Sequence, residues 1–323
     1  MNRRQYYGVL QCLLAVMLFL LSFTVVAKGF SFAAIGDVPY NSLEERQWGL
    51  LKRDIEGAPV SFLVHVGDIK SSVSRCLTRL YQKRLRQFQN FKKPLFYTFG
   101  DNEWTDCGSH NAGAYNTLTR LKILRDLFTK GDVSLGQPQL PLVRQSQLQD
   151  YKLYRENVRW FYNETYFVML HIVGSNNNAK NGAQALAEYR ARDKANLFWL
   201  KETFAIAKAQ SAKSVVVVIH ANPGFEYRRG DKRREGFENF MNALQDEVIA
   251  YEGHTLLLHG DTHDFRVDQP MRDRQGKPFL RFTRVETFGS PFVNWVEITI
   301  DHSLQSPFVV RPRLLNQGLG LRR

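Results

Sequence analysis

Five short apolar runs spaced along the chain each end on an acid or a histidine, and this repetition constrains the fold more than any other feature. Phe30 to Ile35 is followed by Gly36-Asp37, and Val60 to Val66 by Gly67-Asp68. Pro94 to Phe99 leads into Gly100-Asp101-Asn102-Glu103, Val215 to Ile219 into His220, and Thr255 to Leu258 into His259-Gly260-Asp261-Thr262-His263. Apolar runs of this length read as buried strands, and in α/β sheets ligands gather beyond the carboxyl ends of strands. Asp37, Asp68, Asp101, His220, Asp261 and His263 are therefore predicted to face one region. A lone Gly-Asp pair is a common turn, but turns do not explain four of them at predicted strand ends. Glycine lets the backbone turn sharply and approach an ion closely. Four crowded carboxylates repel unless cations neutralise them, and two divalent ions bring about four positive charges. The pattern predicts a dinuclear metal centre.

Segments of helical period lie between the runs. Ser42-Leu43-Glu44-Glu45 has the form of a capping box opening a helix that reaches about Ile55. A basic helical stretch precedes Pro94, and Leu118, Leu121, Ile123, Leu124 and Phe128 suit the buried face of another helix. Gln184 to Ala209 carries Leu197, Leu200 and Phe204 at helical spacing, and Phe237, Phe240, Leu244 and Val248 mark one more. Tyr166 to Val173 reads as a further buried strand, and from Phe279 onward the chain is strand-like. The result is a layered α/β domain with a more antiparallel end. Asp132 to Arg159 lacks a clear period and reads as an insertion near 131–160 over one end of a domain spanning 28–312. The last ten or so residues, with Arg311, Arg313, Arg322 and Arg323, read as a basic tail, 313–323.

Asn2-Arg3-Arg4, the apolar stretch from Val9 to Ala27 and the small residues Val25-Val26-Ala27 have the layout of an export signal over residues 1–27. The alternative is an uncleaved anchor helix, because about 18–20 apolar residues can span a bilayer. Export implies a periplasmic or secreted protein. Cleavage would remove Cys12 and leave Cys76 and Cys107, a pair suited to one disulfide in an oxidising compartment, with two free thiols as the alternative. The net charge of +13 favours anionic partners. It is spread without a long Lys/Arg block, so nucleic acid is not expected.

At the strand-end residues the sequence resembles the calcineurin-like metallophosphoesterase superfamily, which includes the purple acid phosphatases. The resemblance runs through five ordered blocks over roughly 30 to 300, three of them altered: Asp37-Val38-Pro39, Gly67-Asp68, Gly100-Asp101-Asn102-Glu103, His220 and Gly260-Asp261-Thr262-His263. It implies a four-layer α/β/β/α sandwich of two mixed sheets. It also implies a centre in which Asp68 bridges two divalent or trivalent ions, Asp37 and His263 complete one site, and Asp101, His220 and Asp261 complete the other. The implied activity is hydrolysis of small phosphate esters by a metal-bridging hydroxide attacking phosphorus in line. Monoesters are slightly favoured over diesters, because nothing suggests a long nucleic-acid groove.

The departures alter these expectations. Pro39 cannot be a ligand, and Tyr40 beside it is expected to line the pocket. Four aspartates with two histidines suit manganese or iron at least as well as zinc. Asn102 stands where the family carries a histidine thought to protonate the leaving group; an amide donates a hydrogen bond but no proton near neutral pH. Glu103 and Asp264 are the nearest substitute acids, so Asn102 and Glu103 are the catalytic candidates. Lys70 and Arg266 are candidates for clamping phosphate, against a reading as exposed salt-bridged residues. His65, His171 and His110 read as structural, and His259 as a support for Asp261. Ser175 to Asn178 reads equally as a polar turn or as substrate contacts. Trp104, Phe225 and Trp295 read as packing, with an aromatic rim for the leaving group as the other possibility. The alternative function is a noncatalytic exported protein binding metal or phosphate through a degenerate centre.

Overall fold

The structure, a computed structural model, describes residues 29–273 and 275–315. The predicted export signal and the end of the predicted tail lie outside them. Phe30–Ile35 (β1), Leu63–His65 (β2) and Pro94–Tyr97 (β3) pair in parallel. Leu135–Gly136 (β4) closes one edge of this sheet, and Trp295–Ile300 (β12) and Phe308–Arg313 (β13) extend the other, all three antiparallel to their neighbours. The second sheet has a parallel centre of Thr165–Met169 (β7), Ser214–Val218 (β8), His254–His259 (β9) and Phe282–Glu286 (β11). Val143–Arg144 (β5) and Val158–Tyr162 (β6) flank it on one side and Arg266–Asp268 (β10) on the other, antiparallel.

The two-residue alternation of strands divides the core. Phe32, Ala34, Val64 and Phe96 of the first sheet meet Phe167, Met169, Val216, Val218, Leu256 and Leu258 of the second. Ala33, Ile35, Leu63 and Leu95 turn the other way, onto the helices Ser42–Gly57 (α1), Thr78–Gln89 (α2) and Thr117–Phe128 (α3). Val168, Val215, Val217 and Leu257 pack outward onto Ala183–Ala209 (α4) and Glu238–Ala250 (α5). Helices, sheet, sheet and helices form four layers, an α/β/β/α sandwich of two mixed sheets as expected. Trp48, Leu51 and Ile55 on α1, and Trp199, Leu200 and Phe204 on α4, supply the helical stripes that bury each helix.

Three local expectations change. The cap of α1 is Asn41, whose side chain accepts from the amides of Leu43 and Glu44; Ser42 is already helical. The box is shifted by one residue, with Glu44 reaching back to the Tyr40 amide at 2.6 Å. The 131–160 segment is more than a cover over one end, because it contributes β4 to one sheet and β5 and β6 to the other. Arg311 and Arg313 lie in β13 rather than in a tail. Cys76 and Cys107 form a disulfide. Among the described residues no helix is long and apolar enough to cross a membrane.

Candidate metal centre

The parallel strands β1, β2 and β3 of one sheet and β7, β8 and β9 of the other present their carboxyl ends at the same edge of the sandwich. Asp37, Asp68 and Asp101 follow the first three; His220, Asp261 and His263 follow β8 and β9. All six side chains meet there. His220 Nδ1 donates to the Val66 carbonyl at 2.8 Å, which leaves Nε2 facing Asp101 Oδ1 at 3.0 Å, Asp68 Oδ1 at 3.5 Å and Asp261 Oδ1 at 3.7 Å. His263 Nδ1 donates to the Ser290 carbonyl at 2.7 Å, and its Nε2 lies 3.6 Å from Asp37 Oδ1. Metal-binding histidines are oriented in this way, one nitrogen tied to a carbonyl and the other free to ligate.

The backbone is also unusual here. Asp37, Asp68, Asp261 and His263 have φ of 57°, 56°, 79° and 65°. Only a few per cent of non-glycine residues adopt this left-handed region, and such residues cluster where function maintains strain. Close packing holds the donors as well. A Cβ on Gly100 would sit 2.0 Å from Asp68 Oδ1, so that position accepts only glycine.

Oxygen and nitrogen donors fall into two groups whose ligand atoms lie within 4.8 Å of one another: Asp37, Asp68 and His220, and Asp101, His220 and Asp261. That spacing suits ligands about 2.0–2.3 Å from a shared cation. The electrostatics ask for one. Burial pushes the Asp37 and Asp68 carboxyls well above the usual range, only partly offset by the charge of His220. Asp261 is raised to about 6 by burial and by Asp101. Burial opposes ionisation of Asp101 too, but its hydrogen bond and charge pairing with His220 hold it below the ordinary value. His220 is raised despite burial, because Asp68, Asp101, Asp37 and Asp261 surround it. The donor chemistry and spacing fit divalent or trivalent ions such as manganese, iron or zinc.

The remaining candidates occupy definite places. Tyr40 stands among the donors, its hydroxyl donating to Asp68 Oδ2 at 2.8 Å and lying 3.3 Å from His263 Nε2. Asn102 gives its backbone amide to Asp68 Oδ1 at 3.0 Å and its side-chain amide to the Tyr40 hydroxyl at 3.0 Å and the Lys70 carbonyl at 3.1 Å. Glu103 is fully buried; one oxygen accepts from the amides of Asp68 and Gly100 and from the Tyr97 hydroxyl. It braces the loops and is not placed to protonate a leaving group. Lys70, read as a phosphate clamp or an exposed salt bridge, is neither. Its ammonium is buried on the carbonyls of Asn102 and Ser71 at 2.6 and 2.8 Å, and burial lowers its pKa. Arg266 is paired with Glu226 and lies 3.4 Å from Glu286, as a salt-bridged residue. Asp264 is exposed. His65 packs between Phe88 and Tyr97, and His171 is buried against Glu156 at 2.8 Å. His259 is buried, with Nδ1 on the Gly260 carbonyl, and His110 is exposed.

One feature escapes a reading of the sequence, and a second, read there as a polar turn or as substrate contacts, is a turn that holds a ligand candidate. Arg84 is buried on α2, where it donates to the carbonyls of Ile69 and Pro39 at 2.7 and 3.1 Å and so ties the Asp37 loop to the Asp68 loop. Ser175 to Asn178 forms a left-handed turn, φ 50° to 64° over four residues, directly after β7 and Gly174. The Ser175 hydroxyl donates to Asp101 Oδ2 at 2.8 Å. Arg192 of α4 holds the turn through the Asn177 side chain and carbonyl at 2.6 and 3.0 Å. The Asn run is its one signal, since Asn tolerates this conformation best among non-glycine residues.

No protein-family model matches the chain, and no curated protein matches it either. Among solved structures, TT1561 of Thermus thermophilus aligns over 88% of this chain and 99% of its own, at 10% identity and a TM-score of 0.45. A 5'-nucleotidase from Candida albicans aligns over 88% of this chain and 50% of its own, at 10% identity and a TM-score of 0.46. Phosphopantetheinyl Hydrolase from Mycobacterium tuberculosis aligns over 82% and 91%, at 12% identity and a TM-score of 0.40. Likenesses this loose carry nothing about the chemistry of the site.

Proposed function

We propose that this protein is a metal-dependent phosphoesterase that hydrolyses small phosphate esters, monoesters slightly ahead of diesters, outside the cytoplasm. The observation that carries the reading is the meeting of four aspartates and the carbonyl-anchored His220 in two donor groups, with His263, also carbonyl-anchored, 3.6 Å from Asp37. Divalent ions bound there supply Lewis-acid polarisation of the phosphoryl oxygens and acidify water. The chain's own residues place those ions and the substrate. Asp68 is held by the Asn102 amide and the Tyr40 hydroxyl, so both its oxygens have fixed directions. Asn102 steadies Tyr40 and offers hydrogen bonds but no proton. Esters with good leaving groups should therefore react fastest. The basic chain draws anions toward the site, and the signal-like N-terminus supports export.

The test is phosphate release from p-nitrophenyl phosphate and bis-p-nitrophenyl phosphate with manganese, iron or zinc supplied. Turnover that disappears on chelation and returns with metal is expected. Bound metal without turnover would favour the second reading, a noncatalytic exported protein that binds metal or phosphate. The observation on that side is Asn102, where a proton donor would be needed.

A further inference from the structure

A cavity of about 640 Å³ opens beside the centre, between the loop after Asp68, the 105–111 loop, the left-handed turn and the start of α4. Ser175 stands between the cavity and the centre: it lines the cavity with Asp106, and its hydroxyl touches both Asp101 and Asp106, at 2.8 and 3.1 Å. Its volume is that of a small-molecule site. The walls combine hydroxyls and amides, Ser109, Asn111, Asn178 and Gln184 among them, with the small apolar side chains of Val73 and Ala185, and Asp106 is the one charged side chain. Among the described residues the lining has no lysine, no arginine and no aromatic ring. In a chain of net charge +13 that lack of cations is informative.

Each missing group excludes a class of occupant. A second phosphate would meet Asp106 and no cation. A nucleobase would find no ring to stack on, and a quaternary ammonium would find no aromatic cage. A polyhydroxylated, uncharged group pairs with what is present, giving hydroxyl protons to Asp106 and to amide oxygens and accepting from amide N–H groups. Resting on the phosphoesterase reading, we infer that the cavity holds the alcohol half of the substrate and that the substrate class is sugar or polyol monophosphates.

Calorimetric titration of the metal-loaded protein with the non-hydrolysable phosphonate analogue of glucose 6-phosphate and with inorganic phosphate tests this without relying on turnover. The sugar is expected to tighten binding at least about ten-fold, the worth of one or two net hydrogen bonds. Asn111→Ala and Gln184→Ala, both at exposed positions, should each reduce the ratio of the two affinities about three- to ten-fold. Equal affinities, or variants that leave the ratio unchanged, would overturn the inference while phosphate release from p-nitrophenyl phosphate left the phosphoesterase reading standing. Tighter binding of 2-aminoethylphosphonate than of the glucose phosphonate would also overturn it, in favour of a cationic occupant paired with Asp106. Failure to bind any phosphate compound, with no hydrolysis of p-nitrophenyl phosphate, would remove the phosphoesterase reading and this inference together.

Discussion

At the scale of single residues, the centre is a set of donors whose freedom has been removed. His220 and His263 are each fixed by a carbonyl behind the ring, and Asp68 by Tyr40 and Asn102 in front of it. On the proposed phosphoesterase reading, Asn102 is where the arrangement would cost rate, since general acid catalysis contributes about 10²–10⁴ with a poor leaving group. Asn102→His should therefore speed hydrolysis of an alkyl phosphate more than that of p-nitrophenyl phosphate, by about ten-fold or more. Steady-state kinetics on the two substrates checks this, and an equal effect on both would refute the missing-acid explanation. The convergence of these six side chains on one edge was legible in the sequence because each lies within five residues of the end of an apolar run, and that adjacency survives folding. Lys70 was not. Its burial on the Asn102 carbonyl depends on a loop 32 residues away, and a lysine two positions beyond an acid gives no local sign of it.

At the scale of elements, strand ends deliver the donors and turns hold them. Gly174 ends the stretch after β7, and a Cβ there would meet Asp261 Oδ1 at 2.5 Å and Asp101 Oδ2 at 2.6 Å. The Gly174→Ala variant should keep its fold by circular dichroism while metal affinity, measured by titration, falls at least about ten-fold, or about 1.4 kcal/mol. Unchanged affinity would mean that these two carboxylates do not share a cation. The disulfide between Cys76 and Cys107 links the loop after Asp68 to the loop after Asp101, closing a separation of 31 residues. Replacing both cysteines by serine should cost about 3–4 kcal/mol in urea unfolding; a loss under about 1 kcal/mol would indicate that the reduced chain is already constrained. Helices were readable from their period and the central strands from their unbroken apolar runs. β4 and β5 were not, because two-residue strands have no period to read. The α1 cap was misplaced by one residue because Asn41 and Ser42 are both good caps and only the geometry selects between them.

At the scale of the whole molecule, burying so many carboxylates ties stability to pH. Glu286 at the end of β11 touches none of the six donors directly, though it accepts from Thr262 between Asp261 and His263, and it is raised to about 7, chiefly by burial, with Thr262 and Arg266 opposing. A carboxyl bound more tightly to its proton in the folded chain contributes fully below its ordinary value near 4.5, and that contribution is lost as pH rises toward 7. Relative to the natural chain, Glu286→Gln should gain about 1–3 kcal/mol between pH 5 and pH 8. That is a Tm difference of several degrees by thermal melts at the two pH values, and parallel melts would show that Glu286 ionises without cost. The four-layer plan itself was anticipated through the resemblance, while the share of both sheets built by the 131–160 segment required long-range pairing to reveal.

If these six side chains surround a pair of cations, elemental analysis of the purified protein after metal loading will find them. Two equivalents of manganese, iron or zinc per chain are predicted for the natural sequence, with at least one lost in Asp68→Asn. A natural chain that retains no metal, or an Asp68→Asn variant that keeps both ions, would contradict that arrangement.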